Sequence, residues 1–408
     1  CNICMMQVNE PYAKKSSCSY CGDASINHTL SFIESVVFIA LDNHAQRFVK
    51  YVPFFVKDFV DLIPEFLFKT LVFLKLAEFS PDIDKAGSFR SKIIWEEARK
   101  RGITMEQVIF RGKPLDHYRA ILKVKNKNRY FYFESIPIQP EFSDMSRNWD
   151  DKIVLKREFQ KHKIPVPVFC ELPLFPFLNF TNTEKIFSRF QKPVIIKPRV
   201  GSRGRHTVTN INNFPQFRKG INIGRQICSY LVVEEHLKGS VCRATLVGGK
   251  LAGFYKGSAP TLLGDGKKTI KELIDDVDKN RPNRVELIHI TKELHDHILR
   301  SGFTISDILP LGFSLPLSHR VGRLFGGRTM EMLDSLHPSF VPIFEKAAKV
   351  VGLSVVGFDA IISDPTKPAD SQKWGIIECN SLPFIDLHYY ALEGKPKNIA
   401  GMIWDLWR

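Results

Sequence analysis

Apolar residues in the first fifth of the chain recur at intervals of three and four. The run HTLSFIESVVFIALDNHAQRFVKYVPFFVKDFVDLIPEFLFKTLVFLKLAEF, within residues 28–80, is rich in Phe, Val and Leu with single charges between. That spacing predicts helices with one apolar face. Pro53 and Pro64 punctuate the run, so two or three helices are expected rather than one. The apolar face would either pack on the rest of the protein or meet a membrane interface or partner. Lys50, Lys57, Lys69 and Lys75 between apolar residues suit the second alternative. No stretch approaches ~18 uncharged apolar residues, so no spanning helix is expected.

The pattern then changes twice. SFRSKIIWEEARKRG predicts an amphipathic helix stopped by Gly102. MEQVIFRG, HYRAILKV and RYFYFESI predict strands. From Trp149 onward, DDKIVLKREFQKHK and FVPIFEKAAKVVG predict helices. PVIIKP, LVVEEHL, CRATLVGGKLAGFYKG, VVGFDAII and KWGIIECNSL predict strands. Strands with interleaved helices point to an α+β or α/β enzyme architecture. The expected organisation is a Cys-rich segment (1–27), a helical apolar segment (28–87), a small α/β domain (88–148) and a large α+β domain (149–408).

Charge and cysteines sharpen the picture. The 408 residues carry a formal net charge of +15, which attracts nucleotides, nucleic acid, acidic polymers or anionic lipid without choosing among them. Of the eight Cys, four lie at the N-terminus as Cys1-x2-Cys4 and Cys18-x2-Cys21. Four thiolates at that spacing suit tetrahedral, structural Zn²⁺, and so short and polar a segment would fold only with its metal. The alternative is a set of unpaired thiols on a frayed terminus. Cys170, Cys228, Cys242 and Cys379 are scattered, so the thiols are expected to be reduced and the protein cytoplasmic. The first residues show no basic-then-apolar signal pattern, and the chain begins at Cys1 rather than at a methionine.

Two stretches are written for chemistry. In KPVIIKPRVGSRGRHT a strand ends at Lys197 and a basic, Gly-containing loop follows: Gly201, Ser202, Arg203, Gly204, Arg205. Glycine lets the backbone approach phosphate oxygens, and Lys and Arg add charge. The same loop could equally be a surface turn, and no Walker GxxxxGK[ST] occurs in the chain. Much later, Asp359 lies in VVGFDAII, and Glu378 and Asn380 lie in GIIECNS. Residues two apart on a strand share a face. Two carboxylates and an amide oxygen suit Mg²⁺, a hard cation that shares nucleotide phosphates.

Taken in order, DDKIVLKREFQKHKIPVP, VIIKPRVGSRGRHT, VVEEHLKGSVCRATLVGGKLAGFYKG, LLGDGKKTIKELID, GGRTMEMLDSLHP, VVGFDAII and IIECNSLPFIDLH resemble the ATP-grasp superfamily. The closest likeness is to the ATP-grasp module of cyanophycin synthetase, followed by RimK-type ligases; GDGKKTI with ELID, GG with LHP, and the tail GKPKNIAGMIWDLW carry that branch. The resemblance implies two α+β lobes holding ATP. It also implies an ATP-dependent, ADP-forming carboxylate–amine ligase that works through an acyl phosphate. On these residues it implies that Lys152 and Lys197 bind ATP and that Gly201 to His206 cover the phosphates. The backbone of Glu234, Glu235, His236 and Leu237 would pair with adenine. Arg243 and Arg320 would lie at the transferred phosphate, and Asp359, Glu378 and Asn380 would hold two Mg²⁺. The remaining lone histidines read as structural.

Three positions depart from the pattern. Val241 stands where an acidic residue usually meets the ribose, His206 where glycine is common, and Gly322 where Asn often stands. No P-loop for a Mur-ligase-like second half is present, so one class of ligation is the most this chain can perform. The substrate is expected to be an amino acid, peptide or acidic polymer, and self-association is open. Two other readings stand beside the ligase: a zinc-ribbon nucleic-acid binder and a non-catalytic ATP-binding scaffold.

Overall fold

A computed structural model describes residues 18–22, 26–49, 66–124, 127–138, 149–172 and 180–407. Pro53 and Pro64, expected to divide the helical run, lie outside the described residues, as do Lys50 and Lys57. Around them the expected helices form: α1 (His28–Val49) and a helical stretch α2 over residues 66–73. Helix α1 is held through Ser35, whose Oγ accepts from the backbone N of Ser229 at 2.9 Å. Leu30, Ile33, Val36 and Val37 of α1 are exposed, as are Phe66, Leu67 and Phe73 of α2. Among the described residues no helix is long and apolar enough to cross a membrane.

The segment expected to be purely helical ends as a strand. Strand β1 (Ala77–Ser80) pairs antiparallel with β2 (Thr104–Phe110), which continues through β3 (Lys113–Val124) to β4 (Lys127–Glu134). The small domain's four-stranded sheet therefore draws on residues before 88. AEFS is too short for its alternation to stand out beside the helical run, and only the partner strand selects it. Helix α3 (Phe89–Lys100) covers this sheet; the Ser88 side chain caps it by accepting from Ser91 N, the role that suits Ser at this position.

The second sheet has the order β5-β8-β6-β7. It is built from β5 (Phe169–Leu172), β6 (Val194–Pro198), β7 (Val208–Ile211) and β8 (Leu231–Glu235). Helix α4 (Lys152–Lys161) precedes it, with α5 (Phe180–Ser188) and α6 (Phe214–Gly224) between strands. The third sheet, order β13-β10-β9-β14-β15, contains β9 (Ser240–Val247), β10 (Lys250–Gly257), β13 (Thr329–Glu331), β14 (Val355–Ile362) and β15 (Gly375–Asn380). Its apolar face, with Cys242, Ala244, Leu246, Phe254, Val356 and Phe358, packs on Phe344, Ala347 and Val351 of α9 (Val341–Val351). Alternation along each strand leaves the opposite face for polar side chains.

Between β10 and β13 the chain forms a small insert. Strands β11 (Thr261–Leu263) and β12 (Ser314–Pro316) pair, and α7 (Ile270–Lys279) and α8 (Lys292–Arg300) pack on them. The TIKEL sequence closes a capping box between Thr269 and Glu272. After β15 come α10 (Asp386–Tyr389) and α11 (Ile399–Asp405). Trp404 of α11 donates its indole N–H to Ile94 O at 2.8 Å, and one core joins α3, the first sheet and the chain's end. The expected α/β domain is thus fastened to the large domain by the tail.

Burial has a pH consequence in α8. Desolvation pushes the imidazole of His297 down to about 4, with Arg300 adding to the fall. Because the folded value lies below the usual 6.5, protonation favours the unfolded chain. The stability is present above pH 6.5 and is lost as pH falls towards 4, by about 3 kcal/mol from this group. We expect His297→Leu to flatten the fall of melting temperature between pH 6.5 and 4.5. An unchanged slope would show that His297 is not a determinant of acid stability.

Candidate active site

The polar face of the third sheet carries its groups in one row across the strands. Register places Glu331 opposite Tyr255, Tyr255 opposite Arg243, Arg243 opposite Asp359, and Asp359 opposite Glu378. Directly opposite residues project from the same face, so the row follows from strand pairing alone. One pleat along, Asn380 lies opposite Gly357. A Cβ on Gly357 would meet Pro383 Cβ at 2.9 Å and Arg243 Cδ at 3.6 Å. The missing side chain leaves room for the guanidinium.

Within the row, Arg243 donates from Nε to Asp359 Oδ1 at 2.6 Å and from a terminal nitrogen to Oδ2 at 2.7 Å. Asn380 donates to Asp359 Oδ2 at 3.4 Å. Despite deep burial, the Asp359 charge holds the Arg243 guanidinium protonated beyond its ordinary range. Next to them, His388 contacts Glu331 Oε2 at 2.5 Å and Thr245 Oγ1 at 2.7 Å.

Helix α4 brings the second sheet to this row. Its apolar Ile153, Leu155 and Phe159 are buried, while Lys152 and Lys156, four apart, share another stripe. Lys152 Nζ donates to Gly201 O at 2.8 Å and stands 3.7 Å from Glu378 Oε2. Lys156 Nζ donates to Ile377 O of β15 at 2.7 Å and pairs with Glu234 Oε1 of β8 at 2.9 Å. One ammonium thus ties both sheets. Lys197 reaches the other oxygen of Glu234 at 2.8 Å. Glu234 is 1% exposed and Lys156 fully buried. Burial pushes Lys156 down to about 7, with Lys197 and Lys152 adding and Glu234 opposing. Burial alone would raise Glu234, but Lys156 and Lys197 hold it below its usual range.

The basic loop sits beside these groups. Gly201 and Gly204 take φ of +116° and +63°, a region open to glycine without strain. Asp151 caps α4 and accepts both contacts from Arg199 Nε, at 3.0 and 2.8 Å, which fastens the loop's first turn. Ser202 is exposed, and Arg203 lies over the Phe384 ring at 5.9 Å. Arg205 donates to Cys21 O at 3.0 Å.

The other expected residues divide. Glu234, next to last in β8, has its side chain turned inward, and Glu235, which ends the strand, accepts from Val168 N at 2.9 Å and pairs with Lys373. His236 and Leu237 follow in the connection to β9; burial lowers the His236 pKa. Arg320 donates to Tyr20 O at 3.0 Å and Glu293 Oε1 at 3.1 Å. Cys1 and Cys4 lie outside the described residues. Among the described residues Cys18 and Cys21 are joined by His28, a histidine read from sequence as structural, and by His206, expected in the phosphate-covering loop.

Lys156, Glu331 and His388 were not singled out from sequence. The i, i+4 repeat of Lys152 and Lys156 was a usable signal, whereas Glu331 and His388 carried none. The carboxylate pair with an amide on one face fits Mg²⁺, since all three offer hard oxygen donors and Glu378 keeps partial access to solvent.

No family model matches the chain. It is 25% identical over 328 residues to cyanophycin synthetase of Trichormus variabilis, covering 78% of this chain and 34% of the relative. It is 25% identical over 271 residues to the glutathione biosynthesis bifunctional protein GshAB of Clostridium perfringens, covering 63% and 34%. The crystal structure of a bifunctional glutathione synthetase from Pasteurella multocida aligns with a TM-score of 0.49 at 20% identity, covering 78% of this chain and 43% of that one. The chain spans about a third of the length of the curated relatives it matches. The resemblance to the ATP-grasp superfamily expected from the motifs is shown by the curated relatives.

Proposed function

We propose that the chain is an ATP-dependent, ADP-forming carboxylate–amine ligase that makes an amide or peptide bond through an acyl phosphate. The observation that carries this reading is the meeting of two sheets at one place. Lys152 and Lys197 come from the second lobe, Asp359, Glu378 and Asn380 from the third sheet, and Lys152 faces Glu378 across the junction. Phosphoryl transfer is governed by positioning and charge neutralisation, and these are the groups for it.

In this reading Lys152 and Lys197 hold phosphate oxygens while the Gly201–His206 loop lies over them. The connection Glu234 to Leu237 holds the adenine. Asp359, Glu378 and Asn380 would hold two Mg²⁺, which when bound supply Lewis-acid neutralisation of the phosphate charge. Arg243, fixed by Asp359, is aimed along the same row and would orient the transferred group. Excluding water from the acyl phosphate is the task of the loop.

The test is ADP release by the full chain with ATP, Mg²⁺ and pooled amino acids or dipeptides. Release that needs both an acid and an amine, with product mass equal to their sum less one water, supports the ligase. Tight nucleotide binding with no turnover on any pool would favour the scaffold reading.

The substrate side is read from charge. An acidic acid or amine, such as Asp, Glu or a peptide bearing them, suits the net charge of +15. Two arginines that could serve such a substrate, Arg323 and Arg328, are partly engaged within the chain. Arg323 faces Asp386 at 3.2 Å and Arg328 faces Glu393 at 3.4 Å. We expect acidic compounds to lead a panel of acidic, neutral and basic amino acids scored by phosphate release. Ligation of neutral or basic compounds alone would remove the charge argument and leave the ligase standing.

A further inference from the structure

Four metal-ligating side chains converge where the N-terminal segment touches the basic loop. The ligand atoms of Cys18, Cys21, His28 and His206 all lie within 4.8 Å of one another. Cys21 Sγ is 3.1 Å from His28 Nε2 and 3.4 Å from His206 Nε2, and Cys18 Sγ is 3.7 Å from His206 Nε2. Tetrahedral Zn²⁺ with Zn–S near 2.3 Å and Zn–N near 2.0–2.1 Å separates its sulfur and nitrogen ligands by about 3.5 Å. We propose that Cys18, Cys21, His28 and His206 form a Cys₂His₂ Zn²⁺ site that staples the N-terminal segment onto the phosphate-loop candidate. The assignment is independent of the ligase reading.

The surroundings are built for such a site. Ser19–Cys21 forms one 3₁₀ turn, and Cys21 N donates to Cys18 O at 3.2 Å, which folds the two thiols to one side. Gly22 follows at φ +79°; a Cβ there would lie 1.7 Å from Arg320, so the turn sits directly on that guanidinium. His28 opens α1 and presents Nε2. His206 is buried, and its Nδ1 lies 2.8 Å from Ile223 O. A carbonyl partner on one ring nitrogen sets the tautomer and leaves Nε2 for a metal.

His206 also stands in the left-handed region at φ +52°. That conformation is unfavourable for a non-glycine residue, and such strain at a fixed position points to a role for the side chain. A ligand role explains why a histidine is held in that conformation. The backbone contacts run the same way: His206 N donates to Tyr20 O at 3.0 Å, and Arg205 and Arg320 donate to the carbonyls of Cys21 and Tyr20. The turn between the two cysteines is therefore in contact with three residues of the loop and its support. A site 185 residues apart in sequence between Cys21 and His206 makes loop order depend on the N-terminal segment.

The full chain, purified without chelator, should contain one equivalent of zinc by mass spectrometry of the metal. Cys21→Ser and His206→Ala should lose it, whereas Cys1→Ser with Cys4→Ser should keep it. Should a ligand variant fail to fold, cobalt(II) exchanged into the wild type decides the ligand set. Thiolate-to-cobalt charge transfer should have the intensity of two thiolates, rising to three in His206→Cys. The proposal is overturned by wild-type protein without metal, by zinc retained in both His28→Ala and His206→Ala, or by a four-thiolate cobalt spectrum that needs Cys1 and Cys4.

Discussion

Glu378→Gln should lower ADP formation by roughly 10³-fold while the protein stays folded. The carboxylate lies on β15 directly opposite Asp359, and its only ion pair among the described contacts is with Lys152 at 3.7 Å. An amide of the same shape removes one negative charge from a site whose partner would be a pair of cations. Metal stabilisation of a transferring phosphoryl group supplies several kcal/mol, and about 4 kcal/mol corresponds to that rate factor. Stability should change by only about 0.5 kcal/mol, because the side chain is partly exposed and not part of the core. Turnover and thermal melting of the purified variant check both halves. Near-normal turnover in a folded variant would remove Glu378 from the metal role, and with it the strongest support for reading the row as catalytic.

The largest effect on stability is expected at Glu234. Its two oxygens face Lys156 at 2.9 Å and Lys197 at 2.8 Å in a buried setting. Removing one member of a buried ionic cluster leaves uncompensated charge, and such breaks cost about 3–5 kcal/mol. Glu234→Gln should therefore shift the denaturation midpoint downward by an amount of that order at pH 7. Lys156 can escape part of the penalty by losing its proton, since burial already holds it near 7. The variant should then be less unstable at pH 8.5 than at pH 6, relative to wild type. Adding Lys156→Met should recover part of the loss, because one buried ammonium is gone. Additive effects of the two substitutions would show that the residues are not coupled. The same cluster bridges the sheets through Ile377 O, so its loss should also loosen the junction where nucleotide binding is proposed.

Much of this architecture was legible in the sequence, because it follows from local periodicity. VVGFDAII and GIIECNS alternate around buried apolar residues, and both form the strands they predict, with Asp359 and Glu378 on one face. DDKIVLKREFQKHK forms its helix, capped by Asp151. Three of the four strands of the small domain were equally readable. Strand β1 was not, since four residues beside a helical run acquire their conformation from β2 rather than from their own pattern. The loop after β6 was legible as a loop from Gly201 and Gly204, because glycine takes positive φ without strain.

Long-range pairing was decided elsewhere. Cys18-x2-Cys21 raised the expectation of a metal in the sequence, but the described side chains that gather round it are a histidine at the start of α1 and another in the loop after β6, brought together only by the packing of α1 and the second sheet. Spacing along the chain cannot bring His28 and His206 to notice as neighbours of these thiols; folding does. The burial of Lys156 and the turning of Arg320 towards Tyr20 and Glu293 are decided in the same way. A lysine or arginine reads the same in the sequence wherever it stands, and only the assembled sheets determine whether its partner is a substrate, a carbonyl or a carboxylate of its own chain.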